Sequence, residues 1–361
     1  MPKKRILFLY NGGTIGQKHV VKEGQLILVP PKDGREFQQV VEPIINKFSK
    51  KMDVRFELVT TKDSSNMSPN DWEKLIFRIK RAQEIEKFDG VAIAHGTDTL
   101  EFTATALALA LHGPKKSGLK IPVCLTGAQT PIYQEGGDGK FNLENLFLTI
   151  DEAIQKGVAD VMVNFWNRVL LGCRTVKVSE KNFDAMQSPT YPDVGTIDAN
   201  GVEIDRNLVR LREKAQERLT IAPKFGTGVV SLVTTPGTAP DMVLGFITSG
   251  TVSAVIFRSL GEGNVCSEGE FSLIPVIKHA TRDHAIPIFI TTKHTGGNAS
   301  SSHYDVGYKA IRAGAISCLD HTDAAVDVKV KWLIGNMLCR DIDAFRKAMR
   351  TSFAGEVTEP K

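Results

Sequence analysis

Residues 90–111 read GVAIAHGTDTLEFTATALALAL, a continuous run that predicts a strand, a polar loop and a helix. Residues 90–94 are small or apolar, as expected of a parallel strand that is covered on both faces. Residues 99–111 place apolar side chains at helical spacing. Because a strand leading directly into a helix is half of a β-α-β unit, the run predicts an α/β domain.

The same alternation continues on both sides of this run. Further strands are predicted at residues 6–10, 54–60, 121–125 and 160–165. Helical spacing recurs at residues 36–50, 70–85 and 142–155. Residues 54–60 alternate apolar and polar side chains, which places that strand near an edge, and Asn70 with Glu73 resembles a capping box. The pattern predicts a doubly wound, mostly parallel sheet.

A charged segment divides the chain after this sheet. Its charges are Arg210, Arg212, Glu213, Lys214, Glu217 and Arg218. We expect an N-terminal catalytic α/β domain at residues 1–206, a linker at 207–227 and a smaller C-terminal α/β domain at 228–361. Strands of the second domain are predicted at residues 228–233, 254–257, 286–290 and 315–318. A helix at 323–338 should pack on that sheet through its core-spaced residues, Val326, Val330, Leu333 and Met337.

Composition excludes several classes of protein. The 361 residues are 42% hydrophobic and 24% charged, and the net charge of +4 is too small to indicate a nucleic-acid partner. The apolar run at residues 6–10 is too short for a signal peptide, and no run approaches the length of a membrane span. Five scattered cysteines without a C-x-x-C pair are typical of reduced thiols. We therefore expect a cytoplasmic protein with no membrane or nucleic-acid partner.

Ligands of open parallel sheets bind beyond the carboxyl ends of the strands. At these positions the chain has mainly hydroxyl groups and glycines, together with Asp98 and Lys177. No H-E-x-x-H motif or other metal-ligand spacing occurs, so we expect no metal and no cofactor. Residues 12–16 lack the G-x-G-x-x-G spacing of a dinucleotide site, and neither a Walker nor a G-x-S-x-G motif is present. His95 ends a buried strand, and we expect it to be a packed, hydrogen-bonded histidine.

Hydroxyl groups, a carboxylate and a lysine together suit acyl transfer from an amide. A threonine attacks only if a base takes its proton, and a lysine is a base only when neutral. An aspartate would position the lysine and stabilise its positive charge after proton transfer, while a second threonine could relay the proton. A purely structural ion pair between Asp98 and Lys177 explains these two residues equally well.

The motifs at the strand ends resemble those of bacterial-type L-asparaginases, in particular the cytoplasmic type I branch. Asn11-Gly12-Gly13-Thr14-Ile15 and His95-Gly96-Thr97-Asp98-Thr99-Leu100 resemble the two signatures of that family. Further similarities lie at residues 64–69, 126–131, 138–139, 172–177, 183–185 and 257–264. The resemblance spans nearly the whole chain.

This resemblance implies two α/β domains and active sites in a homodimer or homotetramer. It implies hydrolysis of a small amino-acid substrate, L-asparagine, to L-aspartate and ammonia, with minor glutaminase activity a further expectation. Thr14 would be the nucleophile that forms the acyl-enzyme, assisted by Thr97, Asp98 and Lys177. Asp98 would also bind the substrate, together with Ser64, Ser65, Gly96, Ala128 and Asn264. Backbone N–H groups near Thr97 and Ala128 would polarise the amide oxygen.

Two departures from the family matter. Asn11 replaces the first threonine of the first signature. Residues 16–36, which we expect to be a hinged, mobile loop, contain no tyrosine where the family has a lid tyrosine. Among the five tyrosines, Tyr10 should point into the core, and Tyr133 has the easiest route to the site.

Two other functions stay open. An ammonia-supplying amidotransferase subunit has a similar fold but carries an extra N-terminal domain, for which we expect no room before Asn11. A non-catalytic amino-acid sensor is favoured slightly by the missing tyrosine, and the intact Thr14, Thr97, Asp98 and Lys177 argue against it.

Overall fold

The computed structural model describes residues 2–114, 118–213, 218–300 and 303–359. The chain forms two compact units, Met1–Pro223 and Lys224–Lys361. Both are α/β units, so the predicted fold is confirmed. The exact domain bounds remain a prediction, and residues 214–217 of the predicted linker lie outside the described residues.

The first unit is built on a mixed sheet. Its strands are β1 (Lys4–Asn11), β2 (Lys18–Lys22), β3 (Gln25–Val29), β4 (Met52–Thr60), β5 (Gly90–His95), β6 (Val123–Thr126), β7 (Val161–Phe165), β8 (Arg168–Leu171), β9 (Val176–Lys177), β10 (Met186–Gln187), β11 (Gly195–Asp198) and β12 (Gly201–Ile204). The main sheet has the order β12-β11-β8-β7-β6-β5-β1-β4. The five strands from β7 to β4 in that order run parallel, and β8, β11 and β12 extend the sheet by antiparallel pairing. As predicted, β4 is an edge strand.

Helices cover both faces of this sheet. They are α1 (Gly34–Lys47), α2 (Pro69–Arg81), α3 (Leu100–His112) and α4 (Gly139–Lys156). Phe8 of β1 packs against Phe37 of α1 and Phe147 of α4, with ring centroids 6.4 and 5.5 Å away. Tyr10 is fully buried and stacks on Phe37, so the prediction that it points into the core is confirmed.

The capping of α2 differs from the prediction. Ser68 and Asp71 form the capping box, rather than Asn70 and Glu73. The Asp71 carboxylate accepts both the N–H and the hydroxyl of Ser68, at 3.0 and 2.7 Å. Pro69 takes the first helical position, where its missing N–H costs nothing, and this moves the cap two residues upstream.

The second unit contains four parallel strands in sequential order. They are β13 (Val229–Val233), β14 (Ala254–Ser259), β15 (Ile288–Thr292) and β16 (Ile316–Ser317), and the helices are α5 (Pro240–Thr248), α6 (Ile274–Asp283), α7 (Asp305–Arg312), α8 (Asp323–Gly335) and α9 (Ile342–Arg350). Helix α8 packs on β13, as predicted. Met337 is wrongly predicted as core: α8 ends at Gly335, and Met337 has a φ of 52° and is 84% exposed.

A fully buried ion pair ties the C-terminal segment to α8. Lys329 Nζ lies 2.6 Å from Glu356 Oε1, and both side chains are 0% exposed. Lys329 also donates to the carbonyl of Thr351, and the Glu356 carboxylate accepts the N–H groups of Phe353 and Ala354. Burial raises the pKa of Glu356, but the Lys329 charge and these hydrogen bonds outweigh it and lower that pKa to about 2.

Glu356→Gln should destabilise the protein, because it leaves the Lys329 ammonium buried without a counter-charge. We expect a loss on the order of 3 kcal/mol in the free energy of unfolding at neutral pH. The pKa of Glu356 in the folded state lies below its ordinary value of 4.5, so the stabilisation is present above pH 4.5 and is lost as the pH falls toward 2. Urea unfolding at pH 7 and pH 3 measures both effects. Glu359→Gln, in the same segment but exposed, is the control, and equal stability of the two variants would contradict the prediction.

Candidate active site

Three loops at the carboxyl ends of the strands meet through glycine contacts. Gly13, after β1, has a φ of 94°, and a Cβ at this position would overlap the backbone of Gly96, after β5. A Cβ on Gly96 would lie 2.6 Å from both the Cβ and the Oγ of Ser64, in the loop after β4. The two signature segments and the Ser64 loop therefore form one cluster.

Thr14 and Thr97 each follow one glycine of this contact. Thr14 opens a short 3-10 turn, Thr14–Gly16, and its side chain is half-buried. The Tyr10 hydroxyl below this turn donates to the carbonyl of Gly13 at 3.4 Å. Thr97 is 6% exposed. The close backbone approach thus holds both threonines at the same edge of the sheet.

Lys177 reaches this cluster from β9. Its Nζ lies 3.0 Å from Thr97 Oγ1 and 2.5 Å from Asp98 Oδ1. The Lys177 side chain is 16% exposed, whereas that of Asp98 is 61% exposed. The structure therefore joins Thr97, Asp98 and Lys177 directly, and a lysine next to a hydroxyl and a largely exposed carboxylate can support proton transfer.

Ser64 and Ser65 occupy different environments. Ser64 is 3% exposed, and its carbonyl accepts the hydroxyl of Thr99 at 2.9 Å. Ser65 is exposed, and its hydroxyl donates to Asp63 at 2.7 Å. Hydrogen bonds from the Ser65 hydroxyl and N–H lower the pKa of Asp63. Ser64 thus contacts the cluster, whereas the Ser65 hydroxyl is turned to Asp63.

The loop after β6 is held against the second signature. Ala128 is fully buried, and a Cβ on Gly127 would lie 2.7 Å from the carbonyl oxygen of His95. Asp138, to which the sequence assigned no role, accepts the N–H of Gln129 at 2.9 Å and that of Thr130 at 3.0 Å. A buried carboxylate at a helix N-terminus was the available signal, since Asp138 directly precedes α4.

His95 is packed and hydrogen-bonded, as predicted. Its ring is fully buried, and Nδ1 donates to the carbonyl of Gly96 at 2.8 Å. Burial lowers the pKa of His95 to about 4, against the opposing effect of that hydrogen bond. A neutral histidine therefore supports the loop that carries Thr97.

Asn264 belongs to the second unit. It closes a turn after β14, where its N–H donates to the carbonyl of Leu260 at 2.7 Å. Its side-chain oxygen is buried and has no hydrogen-bond partner among the described residues. The binding role of Asn264 remains a prediction.

Residues 16–36 were predicted to be a loop, but residues 18–29 form a β-hairpin and α1 begins at Gly34. Strands β2 and β3 pair from Lys18↔Val29 to Lys22↔Gln25. Glu23 and Gly24 both have positive φ, at 54° and 79°, as two-residue hairpin turns require. The alternation of apolar and polar residues that predicts a strand was not visible, because both strands have apolar residues at adjacent positions. A Glu-Gly pair is also not a strong signal for a hairpin turn.

Tyr133 holds the base of this hairpin. Its hydroxyl accepts the N–H of His19 at 2.7 Å, and the neighbouring Ile132 N–H donates to the carbonyl of Ile15 at 3.0 Å. The phenol lies beside a cavity of about 130 Å³ that Phe37 also lines. The Tyr133 hydroxyl thus contacts the hairpin backbone.

The part of the chain that the structure describes contains neither a cluster of metal-binding side chains nor a membrane-spanning helix. No group of three or more His, Cys, Asp or Glu side chains is arranged to hold a metal ion. None of the described helices is long and apolar enough to cross a membrane.

The first unit thus combines an eight-stranded mixed sheet with threonines, a carboxylate and a lysine at its strand ends, and a parallel-sheet unit follows it in the chain. The family model "Asparaginase, N-terminal" matches residues 5–210, and "Glutaminase/Asparaginase C-terminal domain" matches residues 228–349. The chain belongs to the asparaginase family, which confirms the resemblance found in its motifs.

Several relatives match nearly the whole chain. L-asparaginase 1 of Escherichia coli is 30% identical over 99% of both chains. L-asparaginase of Thermococcus kodakarensis is 31% identical over 82% of this chain and 84% of its own. A glutamyl-tRNA(Gln) amidotransferase subunit from Aeropyrum pernix is 28% identical over 99% of this chain and 80% of its own. The crystal structure of L-asparaginase I from Vibrio cholerae has a TM-score of 0.82 at 26% identity, and the match covers 99% of this chain and 100% of that one.

Tyr133→Phe should loosen the hairpin without abolishing catalysis. The change removes the acceptor of the His19 N–H, a hydrogen bond worth on the order of 1 kcal/mol. Amide hydrogen exchange at residues 18–29 should quicken, and ammonia release should fall by no more than about five-fold, since 1 kcal/mol corresponds to roughly that factor. Tyr191→Phe, which also loses one phenol hydrogen bond, is the control. Complete loss of turnover with the fold intact would show that the Tyr133 phenol takes part in the reaction.

Proposed function

We propose that this protein is an L-asparaginase, which hydrolyses L-asparagine to L-aspartate and ammonia. The observation that carries the proposal is the contact of Lys177 Nζ with both Thr97 Oγ1 and Asp98 Oδ1, at 3.0 and 2.5 Å. These groups lie beside the turn that begins at Thr14. Its asparaginase relatives support the choice of substrate.

The proposed reaction proceeds in two steps. Thr14 Oγ attacks the side-chain amide carbon, and its proton passes through Thr97 to neutral Lys177. Protonated Lys177 returns this proton through Thr97 to the amide nitrogen, which leaves as ammonia, so that an ester remains between substrate and Thr14. Water then hydrolyses this ester, and Thr14 regains its proton. Backbone N–H groups near Thr97 and Ala128 stabilise the negative oxygen in both steps.

Asp98 has a second part in this proposal. One of its oxygens contacts Lys177, yet 61% of its side chain remains exposed, so it can also accept the α-ammonium of asparagine. Ser64, with Gly96 beside it, would bind the α-carboxylate. Ser65 and Asn264 complete the proposed binding set. Minor activity on glutamine, one methylene longer, is part of the proposal.

An ammonia-supplying amidotransferase subunit is the second candidate, favoured by the similarity to the Aeropyrum pernix amidotransferase chain. Comparing ammonia release from free asparagine and free glutamine distinguishes the two, because such a protein should need glutamine and partner proteins. We also propose a cytoplasmic location, which five free thiols support.

Replacing either the nucleophile or the base should stop the reaction. Thr14→Ala should abolish ammonia release while substrate binding survives. Lys177→Met keeps the length of the side chain but removes the base, and should cost on the order of 100-fold or more in kcat. Steady-state ammonia assays with asparagine measure both effects.

Matched controls are available on the same unit. Thr196→Ala and Lys181→Met change exposed residues and should leave kcat unchanged. Undiminished activity of Thr14→Ala would remove Thr14 from the mechanism, and a loss of only about two-fold in Lys177→Met would make the lysine structural. No ammonia release by the wild-type protein would contradict the proposed function itself.

We propose further that the active form is a homodimer or homotetramer. Residues 258–264, which include Asn264, resemble a family segment that lies at an interface. Sedimentation velocity at assay concentrations should therefore give a mass of at least two chains. Full specific activity in a protein that sediments as a monomer would contradict this proposal.

A further inference from the structure

The backbone of Lys177 is held by a carboxylate from the first turn of α3. Lys177 N donates to Glu101 Oε2 at 2.6 Å. Strand β9 pairs with β10 on its other side, where the next N–H, of Val178, donates to the carbonyl of Ala185 at 2.8 Å. Because alternate N–H groups of an antiparallel strand point in opposite directions, that of Lys177 faces away from β10. Glu101 thus satisfies a donor that the ladder does not.

Both ends of Lys177 are therefore fixed by one short stretch of chain. The side-chain nitrogen contacts Thr97 and Asp98, and the backbone nitrogen contacts Glu101. These three partners lie within five residues of one another, in the loop after β5 and at the start of α3. Nearly all of α3 is buried, so it provides a rigid platform.

A flexible lysine needs this kind of support. Its side chain has four rotatable bonds and loses about 2 kcal/mol of rotamer entropy when it is ordered. Strand β9 is only two residues long, Val176–Lys177, and pairs only with the equally short β10. A third contact from a buried helix fixes the point from which the lysine side chain extends.

We propose that Glu101 is a positioning residue, whose carboxylate fixes the Lys177 backbone so that Nζ meets the Thr97 hydroxyl. The inference rests on the proposed function and adds to it a residue that does not touch the substrate. A shift of about 1 Å in a reacting group can cost on the order of 100-fold in rate. Loss of the Glu101 contact should therefore lower kcat more than it raises KM.

A structural interpretation of Glu101 makes a different prediction. A negative charge in the first turn of a helix interacts favourably with the helix dipole and stabilises the helix by about 0.3–1 kcal/mol. This effect needs only the charge. Under that interpretation, Glu101→Asp would behave like the wild type, and Glu101→Gln would be destabilised. Positioning requires instead that an oxygen reach the Lys177 N–H, so Gln should replace Glu and the shorter Asp should not.

Three variants of Glu101 separate these possibilities. Glu101→Gln keeps the oxygen at its distance and should retain kcat within about three-fold. Glu101→Asp, one methylene shorter, and Glu101→Met, without an acceptor, should each lose on the order of 10- to 100-fold in kcat. KM for asparagine should change by less than about three-fold in all of them, because Glu101 does not contact the substrate.

Glu84 provides a matched control. Its Oε1 accepts the N–H of Leu219 at 3.1 Å, which is the same type of long-range carboxylate-to-backbone bond, away from the site. Glu84→Met should lower the melting temperature but leave kcat unchanged. Thermal unfolding monitored by near-UV circular dichroism shows which variants are folded. If Glu101→Met fails to fold, comparing kcat of Glu101→Asp with that of Glu101→Gln still distinguishes positioning from a purely structural role.

Each outcome bears on one claim. Wild-type kcat in folded Asp and Met variants would overturn the positioning role and leave the proposed function intact. A Gln variant as impaired as Met would overturn it too, since the charge would then be what matters. An inactive wild-type protein would overturn the proposed function, and this inference with it.

Discussion

The close approach of the Gly13 backbone to the Gly96 backbone is the constraint on which the rest of the site depends. No side chain fits between the two, since a Cβ on Gly13 would overlap Gly96, and one on Gly96 would lie 2.6 Å from Ser64. Each glycine is followed directly by a threonine. The positions of Thr14 and Thr97 are therefore set by backbone packing between two loops, which is stiffer than any contact between flexible side chains.

Two lysine–carboxylate pairs in this chain differ in their surroundings. Lys329 and Glu356 are both 0% exposed, so no ligand can reach them. The Thr351 carbonyl and His321 Nε2 contact Lys329, and the Ala354 N–H donates to Glu356. Lys177 and Asp98 lie at a similar distance, but Asp98 is largely exposed and a hydroxyl group replaces one of the backbone partners. A fully buried ion pair can affect only the stability of the fold, whereas a partly exposed pair next to a hydroxyl can exchange a proton.

Local patterns predicted what depends on neighbours in sequence. The parallel strands, the edge position of β4 and the polar strand ends all follow from short-range alternation, and the Asp98–Lys177 contact follows from the rule for strand ends. Long-range contacts away from the strand ends had no such signal. Glu101 lies 76 residues from its partner Lys177. Met337 fits the helical spacing, yet α8 ends before it, where Asn336 donates to the carbonyls of Trp332 and Lys224.

The hairpin of β2 and β3 is restrained at its base and open at its tip. Its base is bound at two points, Ile15 and His19, by the segment that contains Tyr133. Beyond His19 it is held by the β2–β3 ladder, and Val21 and Leu26 are 68% and 66% exposed. Segments with few buried contacts open at the lowest free energy, so motion concentrates at the tip. The turn at Thr14 lies on the fixed side of His19, so motion at the tip would leave Thr14 beside Thr97.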